Sequence, residues 1–527
     1  MAFCGPVEGE GAAVPQFVDR IGGVTVHPPV LIVGAGPAGL FAACELIRHG
    51  VEPRVIERRA APHHEARGTA LQPATLDFVD RAGLIEPFLR TSVHIRQVQL
   101  LGPGLQEIAT VKLAGIGCKY EFQCSLPQWR TETILREHLH SVGVNIEYGT
   151  EVKSIEDCSS GLHVTVETGG RAEILAASYV LGAGGAHSVT RHSMQEHLSG
   201  GTYDGRYIVA DAKIRLSFPS ECGRIVVGPS GFVLFSPLPD ERWLIFVNRK
   251  ETDTRTEFPT EDELGALLNE RVDTNVGLHD LQWVSYFRMH KRAAERLSDG
   301  RRFLLGDAGH LSSPLGGEGL NSAIADGADI AWKMALVIRG AARPSLLDSY
   351  AIERGIADRH VLEVSDETHR LVMDLVAAYH GGGAPTVPPS DPAKDMAAAR
   401  RRSMLDVSYA GSALVGRASS IDGSGTGIRF TACHDLSGTS HHLIVPNDAP
   451  CLDYLRKRWE RLVTIIDASQ FDETSDVPDG GTILVRPDGF VGFRADASDE
   501  MTMNALDAHL ATYLIPNAAA AHEVRFG

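Results

Sequence analysis

Residues 30–39 read Val30-Leu31-Ile32-Val33-Gly34-Ala35-Gly36-Pro37-Ala38-Gly39, an unbroken apolar run followed by the string G-x-G-x-x-G. A β-branched run without alternation is the texture of a strand buried on both faces of a parallel sheet, and the glycines fall where that strand would turn into a helix. Each glycine has its own task. Gly34 permits a tight turn, Gly36 lets backbone N–H groups approach a pyrophosphate, and Gly39 lets helix and strand pack closely. Pro37 suits the first helical position, and Gly50 the position after the last. The N-terminus of that helix adds its partial positive charge. Arg54-Val55-Ile56 reads as the next strand, ending at Glu57 about 20 residues after the glycines, where a dinucleotide site needs an acid. Its carboxylate accepts from ribose hydroxyls and would repel a 2′-phosphate, which favours FAD or NAD over NADP at this point.

The same stretch, extended from Pro29 to Ile47, approaches the length of a membrane span, but its glycines and the absence of a basic flank argue for a strand and helix instead. Hydrophobic residues at 43% and charged residues at 22% fit an ordinary globular protein, long enough at 527 residues for two or three domains. Lys and Arg number 50 against 67 Asp and Glu, and the resulting charge of −17 would repel a nucleic-acid backbone. The run Arg400-Arg401-Arg402 reads as a solvated helix face. Eight cysteines without a C-x-x-C suggest neither zinc nor a redox pair, and the 22 histidines lack ligand spacing, so no metal is expected. The expected location is cytoplasmic, with no membrane and no nucleic-acid partner.

Further along, Pro73 to Ala82 and Thr131 to Val142 read as helices closed by Gly83 and Gly143. From about 203 to 290 the texture becomes alternating and aromatic, which predicts an antiparallel sheet inserted into the first domain. Its aromatics Tyr207, Phe232, Phe235, Trp243, Phe246 and Tyr286 are where an aromatic-lined pocket is expected. Phe303-Leu304-Leu305 is a short strand running into Gly306-Asp307, a glycine-rich loop, and a helix over about 319–339 before Gly340. Residues 380–394 form a Gly/Pro linker. Beyond about 420 a separate unit carries a strand at Leu462–Ile466 and a hairpin built from Thr482–Val485, the turn Pro487-Asp488-Gly489, and Phe490–Phe493.

Arg302-Phe303-Leu304-Leu305-Gly306-Asp307-Ala308-Gly309-His310, then Pro314-Leu315-Gly316-Gly317-Glu318-Gly319-Leu320-Asn321 and Asp326 to Lys333, form a second fingerprint. This resembles the GD motif of the class A flavoprotein monooxygenases, the group of para-hydroxybenzoate hydroxylase and phenol hydroxylase. Gly34 to Gly39, Arg67, Gln128 in Leu126-Pro127-Gln128, Ser236-Pro237-Leu238-Pro239, and Leu347-Asp348-Ser349-Tyr350 match the same pattern in order, so that the resemblance covers roughly residues 29–375. The unit from about 420 looks like the thioredoxin-like domain that some larger members carry, here without redox cysteines.

The resemblance implies an α/β architecture with a Rossmann-like FAD-binding domain over 27–202 and 291–380. The inserted substrate-binding sheet takes 203–290, an N-terminal extension 1–26, a linker with helices 381–420, and the thioredoxin-like unit 421–527. It implies FAD held by Gly34, Gly36, Pro37, Ala38, Gly39, Glu57 (AMP ribose), Arg58, Arg67 (phosphates), Gln128, Gly306, Asp307 (ribityl chain), Gly317, Gly319, Leu320 and Asn321. Backbone donors of Gly316 to Gly319 and a helix N-terminus would face the N1/C2=O edge of the flavin and stabilise its reduced, anionic form. Pro314 would lie on the substrate side of the ring, with Phe235, Pro237 and Trp243 as substrate contacts. The implied reaction is hydroxylation of an aromatic, phenolic or polyketide-like small molecule by NADPH or NADH and O2 through a C4a-hydroperoxyflavin, in a monomer or homodimer. Baeyer–Villiger oxygenation of a related ketone and a non-oxygenating FAD reductase are the alternatives, and no catalytic base is assigned.

Three positions depart from the family pattern. Gly184 stands in Gly182-Ala183-Gly184-Gly185-Ala186-His187-Ser188-Val189-Thr190-Arg191 where an aspartate is expected, which bears on how the nicotinamide is used. Ala74 replaces a frequent arginine. Glu318, often Gln, either brings a carboxylate near the flavin or faces solvent.

Overall fold

The computed structural model describes residues 20–21, 24–25 and 30–516, apart from 65–67, 204, 250–255, 314, 316, 384–390, 418–425, 432–435 and 472–476. Most of the N-terminal extension expected at 1–26, the middle of the Gly/Pro linker, Arg67 and Pro314 therefore lie outside the described residues.

Val30–Val33 is the middle strand of a five-stranded parallel sheet, ordered Ile146–Tyr148, Pro53–Glu57, Val30–Val33, Tyr179–Gly182, Arg302–Leu304. Its side chains alternate between two apolar cores. Val30 and Ile32 join the helical side, whereas Leu31 and Val33 pack with Val152, Leu162, Val164 and Leu175 of a three-stranded antiparallel sheet over 150–177. An apolar run without alternation is what a strand covered on both faces requires. Helix α1 (Pro37–Arg48) follows directly, and α2 (Gln128–Ser141) packs against it.

The inserted sheet is larger than the segment 203–290. Its seven strands run His279–Phe287, Tyr207–Lys213, Arg242–Asn248, Gly231–Leu238, Cys222–Gly228, Gln97–Leu101, Glu107–Lys112. The last two precede the segment 203–290 by some ninety residues or more, and Gln97–Leu101 joins through a parallel pairing with Cys222–Gly228. Nothing local marks residues 97–112 as belonging to that sheet, because the pairing is between strands more than a hundred residues apart. Helix α3 (Glu261–Val272), started by a Thr260/Glu263 capping box, covers one face. Leu264, Leu268 and Val272 of α3 meet Val226, Val233, Phe235, Trp243 and Ile245 there. The opposite face presents Phe232, Leu244 and Phe246 toward Leu315, Val372 and Leu375.

The chain then returns to the first domain. Helix α4 (Glu318–Ile338) is buried along most of its length and crosses α1, and α5 (Asp348–His380) runs beside it. Helix α6 (Pro392–Arg402) follows, and its arginines are not simply solvated as expected. Arg400 donates to the Ile116 carbonyl and Arg401 pairs with Glu367 at 3.3 Å. The C-terminal unit is a five-stranded mixed sheet, ordered Gly416–Arg417, Val491–Ala495, Thr482–Val485, His441–Val445, Val463–Asp467, with α7 (Glu500–Tyr513) against it. It is continuous with the first domain: Leu443, Leu484, Phe490 and Leu506 belong to the same apolar core as Ala331 and Trp332 of α4.

Candidate functional site

The turn at residues 34–39 is built by exclusion. Gly34 has φ +113°, and a Cβ there would lie 2.3 Å from the Ala183 carbonyl oxygen, so no L side chain fits. A Cβ on Gly39 would lie 2.1 Å from the Gly34 oxygen, which is the close helix–strand approach that the third glycine permits. Gly36 differs: a Cβ there meets nothing within 4 Å. No side chain caps the N-terminus of α1, and no acid sits in its first turn. At Gly36 a helix N-terminus without a side-chain cap thus faces open space, the arrangement a bound pyrophosphate fits.

That space belongs to a cavity of about 410 Å³. Its walls include Gly34, Gly36, Pro37, Ala38, Glu57 and Arg58 from one end and Gly306, Asp307, Gly319 and Leu320 from the other, with Gln128 between. The two glycine-rich turns, some 270 residues apart in sequence, therefore converge on one elongated hollow. Glu57 is held at its rim by the Ala35 N–H, 2.9 Å from Oε2, and the Arg59 N–H, 3.0 Å from Oε1. Gln128 is anchored at both ends, its N–H to the Gly68 carbonyl at 2.9 Å and its side-chain amide to Glu132 at 2.9 Å.

The loop at Gly306-Asp307 is fixed from behind by a fully buried ionic cluster. Asp326 on α4 accepts from the Gly306 N–H at 2.7 Å, from His310 Nε2 at 2.8 Å and from Arg354 Nε at 2.6 Å. Burial disfavours charge on His310, but Asp358 and Asp326 outweigh it and push its pKa up to about 9. Arg191, from the segment with the unusual Gly184, donates to the Ala308 carbonyl at 3.0 Å and the Ala186 carbonyl at 2.7 Å, which ties that segment to the same loop. At Gly184 itself an added Cβ would find its nearest neighbour 3.6 Å away, so space for the missing aspartate remains.

A second cavity, of about 510 Å³, opens against the inserted sheet. It shares Gln128, Ala186, Asp307, Gly319 and Leu320 with the first, so the two are continuous. Its lining is largely apolar and aromatic, with Val209, Leu234, Leu244, Phe246, Trp283 and Phe287 among the residues that form it. Polar groups are interspersed around the wall, including Ser236, Ser285, Ser313, His290, Arg224 and Arg288. Burial, with Arg292 and Arg288 nearby, lowers the His290 pKa and favours its neutral imidazole.

Of the three expected substrate contacts, only Phe235 borders this cavity, and its ring packs on the α3 side, edge-on to Trp243 at 6.4 Å. Trp243 turns to the α3 face, where it meets Phe218 edge-on at 5.7 Å, because alternation along its strand places Leu244 and Phe246 on the cavity side. Pro237, opposite Trp243 in the ladder, is likewise absent from the lining. Tyr207 and Phe232 pack in the core around Phe246, with Tyr207 stacked on it at 5.1 Å. Trp283 and Phe287 were not expected; the period-2 pattern of 279–287 placed them on one face, but not on which one.

Asn321 does not line either cavity. It is fully buried, its side chain accepting from the Gln72 N–H at 2.8 Å and donating to the Ala70 carbonyl at 2.9 Å and the Gly317 carbonyl at 2.7 Å. Its side chain clips the start of α4 to the strand at residues 70–71. Glu132 is the residue that sequence reading missed: it lines the first cavity almost completely buried, with its pKa raised by burial. Among the described residues, His310/Asp326/Asp358 and Asp329/Glu353/Asp488 gather ligand-type atoms, but Arg354 in the first and Lys333 and Arg486 in the second already occupy those carboxylates. No helix among the described residues is long and apolar enough to cross a membrane.

Comparison with known proteins agrees with this geometry. Residues 27–365 match a family model described as "FAD binding domain", and residues 420–515 match one described as "Aromatic-ring hydroxylase, C-terminal". The 6-methylpretetramide 4-monooxygenase of Streptomyces rimosus is 29% identical over 91% of this chain and 92% of its own. Among solved structures, the OxyS anhydrotetracycline hydroxylase of the same organism is 25% identical with a TM-score of 0.74, covering 93% of this chain and 100% of its own. The flavin-dependent monooxygenase PieE, solved with FAD and substrate, superimposes with a TM-score of 0.78 at 23% identity over 92% of this chain and 99% of that one.

Proposed function

Because this chain belongs to the class A flavoprotein monooxygenases, we propose that it hydroxylates a multi-ring aromatic small molecule of the phenolic polyketide type, using FAD, a reduced nicotinamide and O2. The observation that carries the reading is the junction of the two cavities: five shared residues join the hollow lined by both glycine-rich turns to a largely apolar chamber of about 510 Å³. The relatives whose names specify 6-methylpretetramide and anhydrotetracycline support a polycyclic substrate over a single ring.

When bound, FAD supplies the hydride acceptance and oxygen chemistry. The chain's own residues do the rest. Gly36 and the uncapped amides of α1 take the pyrophosphate, Glu57 takes the adenosine ribose, and Gln128 with Asp307 flanks the ribityl path. The N-terminus of α4, with Gly317 and Gly319 at the wall, presents positive charge where the pyrimidine edge of the flavin would lie. Leu234, Leu244, Phe246, Trp283 and Phe287 keep water from the reacting ring, and the serines and His290 orient its hydroxyls. We read the C-terminal unit as thioredoxin-like in topology and structural in role, and the chain as a cytoplasmic enzyme without nucleic-acid or membrane partners.

The test is anaerobic reduction followed by oxygenation. Purified protein carrying bound flavin should oxidise NADH or NADPH faster with a polycyclic phenol present, and should place one atom of labelled dioxygen in a hydroxylated product. Protein that takes up no FAD, or that yields an ester or lactone, contradicts the reading.

A further inference from the structure

Glu318 is the first residue of α4, between Gly317 and Gly319 of the cavity wall. Its side chain is 1% exposed, and neither carboxylate oxygen accepts a hydrogen bond from another described residue. A buried carboxyl without partners is costly when ionised, and proteins rarely keep one without a use. The charged groups facing it come from two other helices. Arg402 approaches from α6 with Glu367 near it, and His360 approaches from α5, already paired with Asp406 at 3.3 Å. Among the described residues, the charges that act on it most come from α5 and α6 and none from α4. Burial pushes the Glu318 pKa up to about 7, and Arg402 and His360 offset only part of that.

The position matters more than the burial. The N-terminus of α4 presents positive charge at the cavity wall where the pyrimidine edge of a bound flavin would lie, and Glu318 belongs to its first turn, just behind the lining residues Gly317 and Gly319. A flavin that has accepted hydride carries a negative charge there, and an ionised Glu318 would compete with it for the same helix terminus.

The geometry points to Glu318 as the charge-compensating proton acceptor of flavin reduction, taking one proton from solvent as the cofactor becomes anionic. This rests on the FAD reading above. In balance, NADH or NADPH transfers two electrons and one proton as hydride and leaves oxidised, the flavin becomes a monoanion, and the Glu318 carboxylate with one solvent proton becomes the acid. The net negative charge at the start of α4 is then the same before and after reduction. A glutamine at this position is neutral throughout and cannot do this.

The experiment is an anaerobic spectroelectrochemical titration of the flavin-loaded enzyme and of Glu318→Gln across about pH 5 to 9. One proton per two electrons gives a slope of about 30 mV per pH unit, and a second proton doubles it. The wild-type plot should steepen from about 30 to about 60 mV per unit as pH rises through about 7, and E318Q should stay near 30. Ionisation of the reduced flavin itself bends such a plot the opposite way, from steep to shallow with rising pH, so the two are told apart by direction. Reduction of the wild type at about pH 8 should also add the infrared carbonyl band of a protonated carboxyl, absent in E318Q. A wild-type plot without steepening, or steepening that survives in E318Q, overturns the assignment while leaving the FAD reading intact. Failure of both proteins to take up flavin overturns both.

Discussion

Arg486, at the turn of the C-terminal hairpin, donates through both terminal nitrogens to Glu353 of α5, at 2.6 and 2.8 Å, with neither side chain exposed to solvent. Lys333 of α4 donates to the same Glu353 and to Asp329, both at 2.7 Å, and Asp488 closes the set from the hairpin side. The C-terminal unit is therefore fastened to the helix that begins at the cofactor cavity.

Replacing Arg486 by Met should cost about 3–5 kcal/mol, because it leaves Glu353 and Asp488 ionised and under-compensated in a dry interior. The double variant Arg486→Met/Glu353→Leu should recover part of that loss. Urea midpoints of the three proteins check both statements, and a single shared transition is expected, since the two units have one core.

Gly39→Ala and Gly36→Ala should fail differently. The added methyl at residue 39 collides with the Gly34 carbonyl, so that variant should express poorly or unfold early. At residue 36 the methyl enters open space, so the fold should survive while FAD binding weakens by about tenfold or more, equivalent to about 1.4 kcal/mol. Thermal melting of apoprotein and flavin-fluorescence titration separate the two outcomes.

Asp326→Asn should leave the protein folded and weaken flavin retention by about ten- to a hundredfold. The amide can no longer serve the Gly306 N–H, His310 and Arg354 together, and the loop that carries Asp307 into the cavity loosens. Gel filtration followed by the ratio of flavin to protein absorbance measures it.

Stability should fall toward alkaline pH. The folded-state pKa of His310 is raised from 6.5 to about 9, so its contribution is complete below about 6.5 and disappears as pH climbs through 9. On the acid side the sign reverses. Burial opposes charge on Glu353, but Arg486 and Lys333 hold its pKa well below the ordinary 4.5, so its contribution is present above that value and lost as pH falls below it. Melting temperatures of the wild type and His310→Gln, compared between about pH 6 and 9, should diverge at the lower pH and converge at the higher.

Local reading found the Gly34–Gly39 turn, the acid at Glu57 and the loop at Gly306-Asp307 because each is a short-range requirement: a turn that only glycine allows, a carboxylate one strand away, a strand running into a loop. It placed Phe235 and Trp243 together, since both are aromatic residues on neighbouring strands. The ladder kept them together, edge-on at 6.4 Å, but turned both rings toward α3, away from the face that lines the chamber. The resemblance put Asn321 among the cofactor residues; that its side chain bonds Gln72 and Ala70, some 250 residues away, no pattern announces.

By itself the amino-acid order determined the dinucleotide turn, because backbone sterics and hydrophobic period act over a few residues and leave their mark in the string, and its motifs carried the resemblance to the family. Tertiary structure alone decided which face of the seven-stranded sheet became the chamber wall, that residues 97–112 complete that sheet, and that Glu318 lies buried rather than in solvent. Those outcomes depend on register and on which distant helices cover a surface. They are fixed by the total burial of the folded chain, a quantity that no short window of sequence contains.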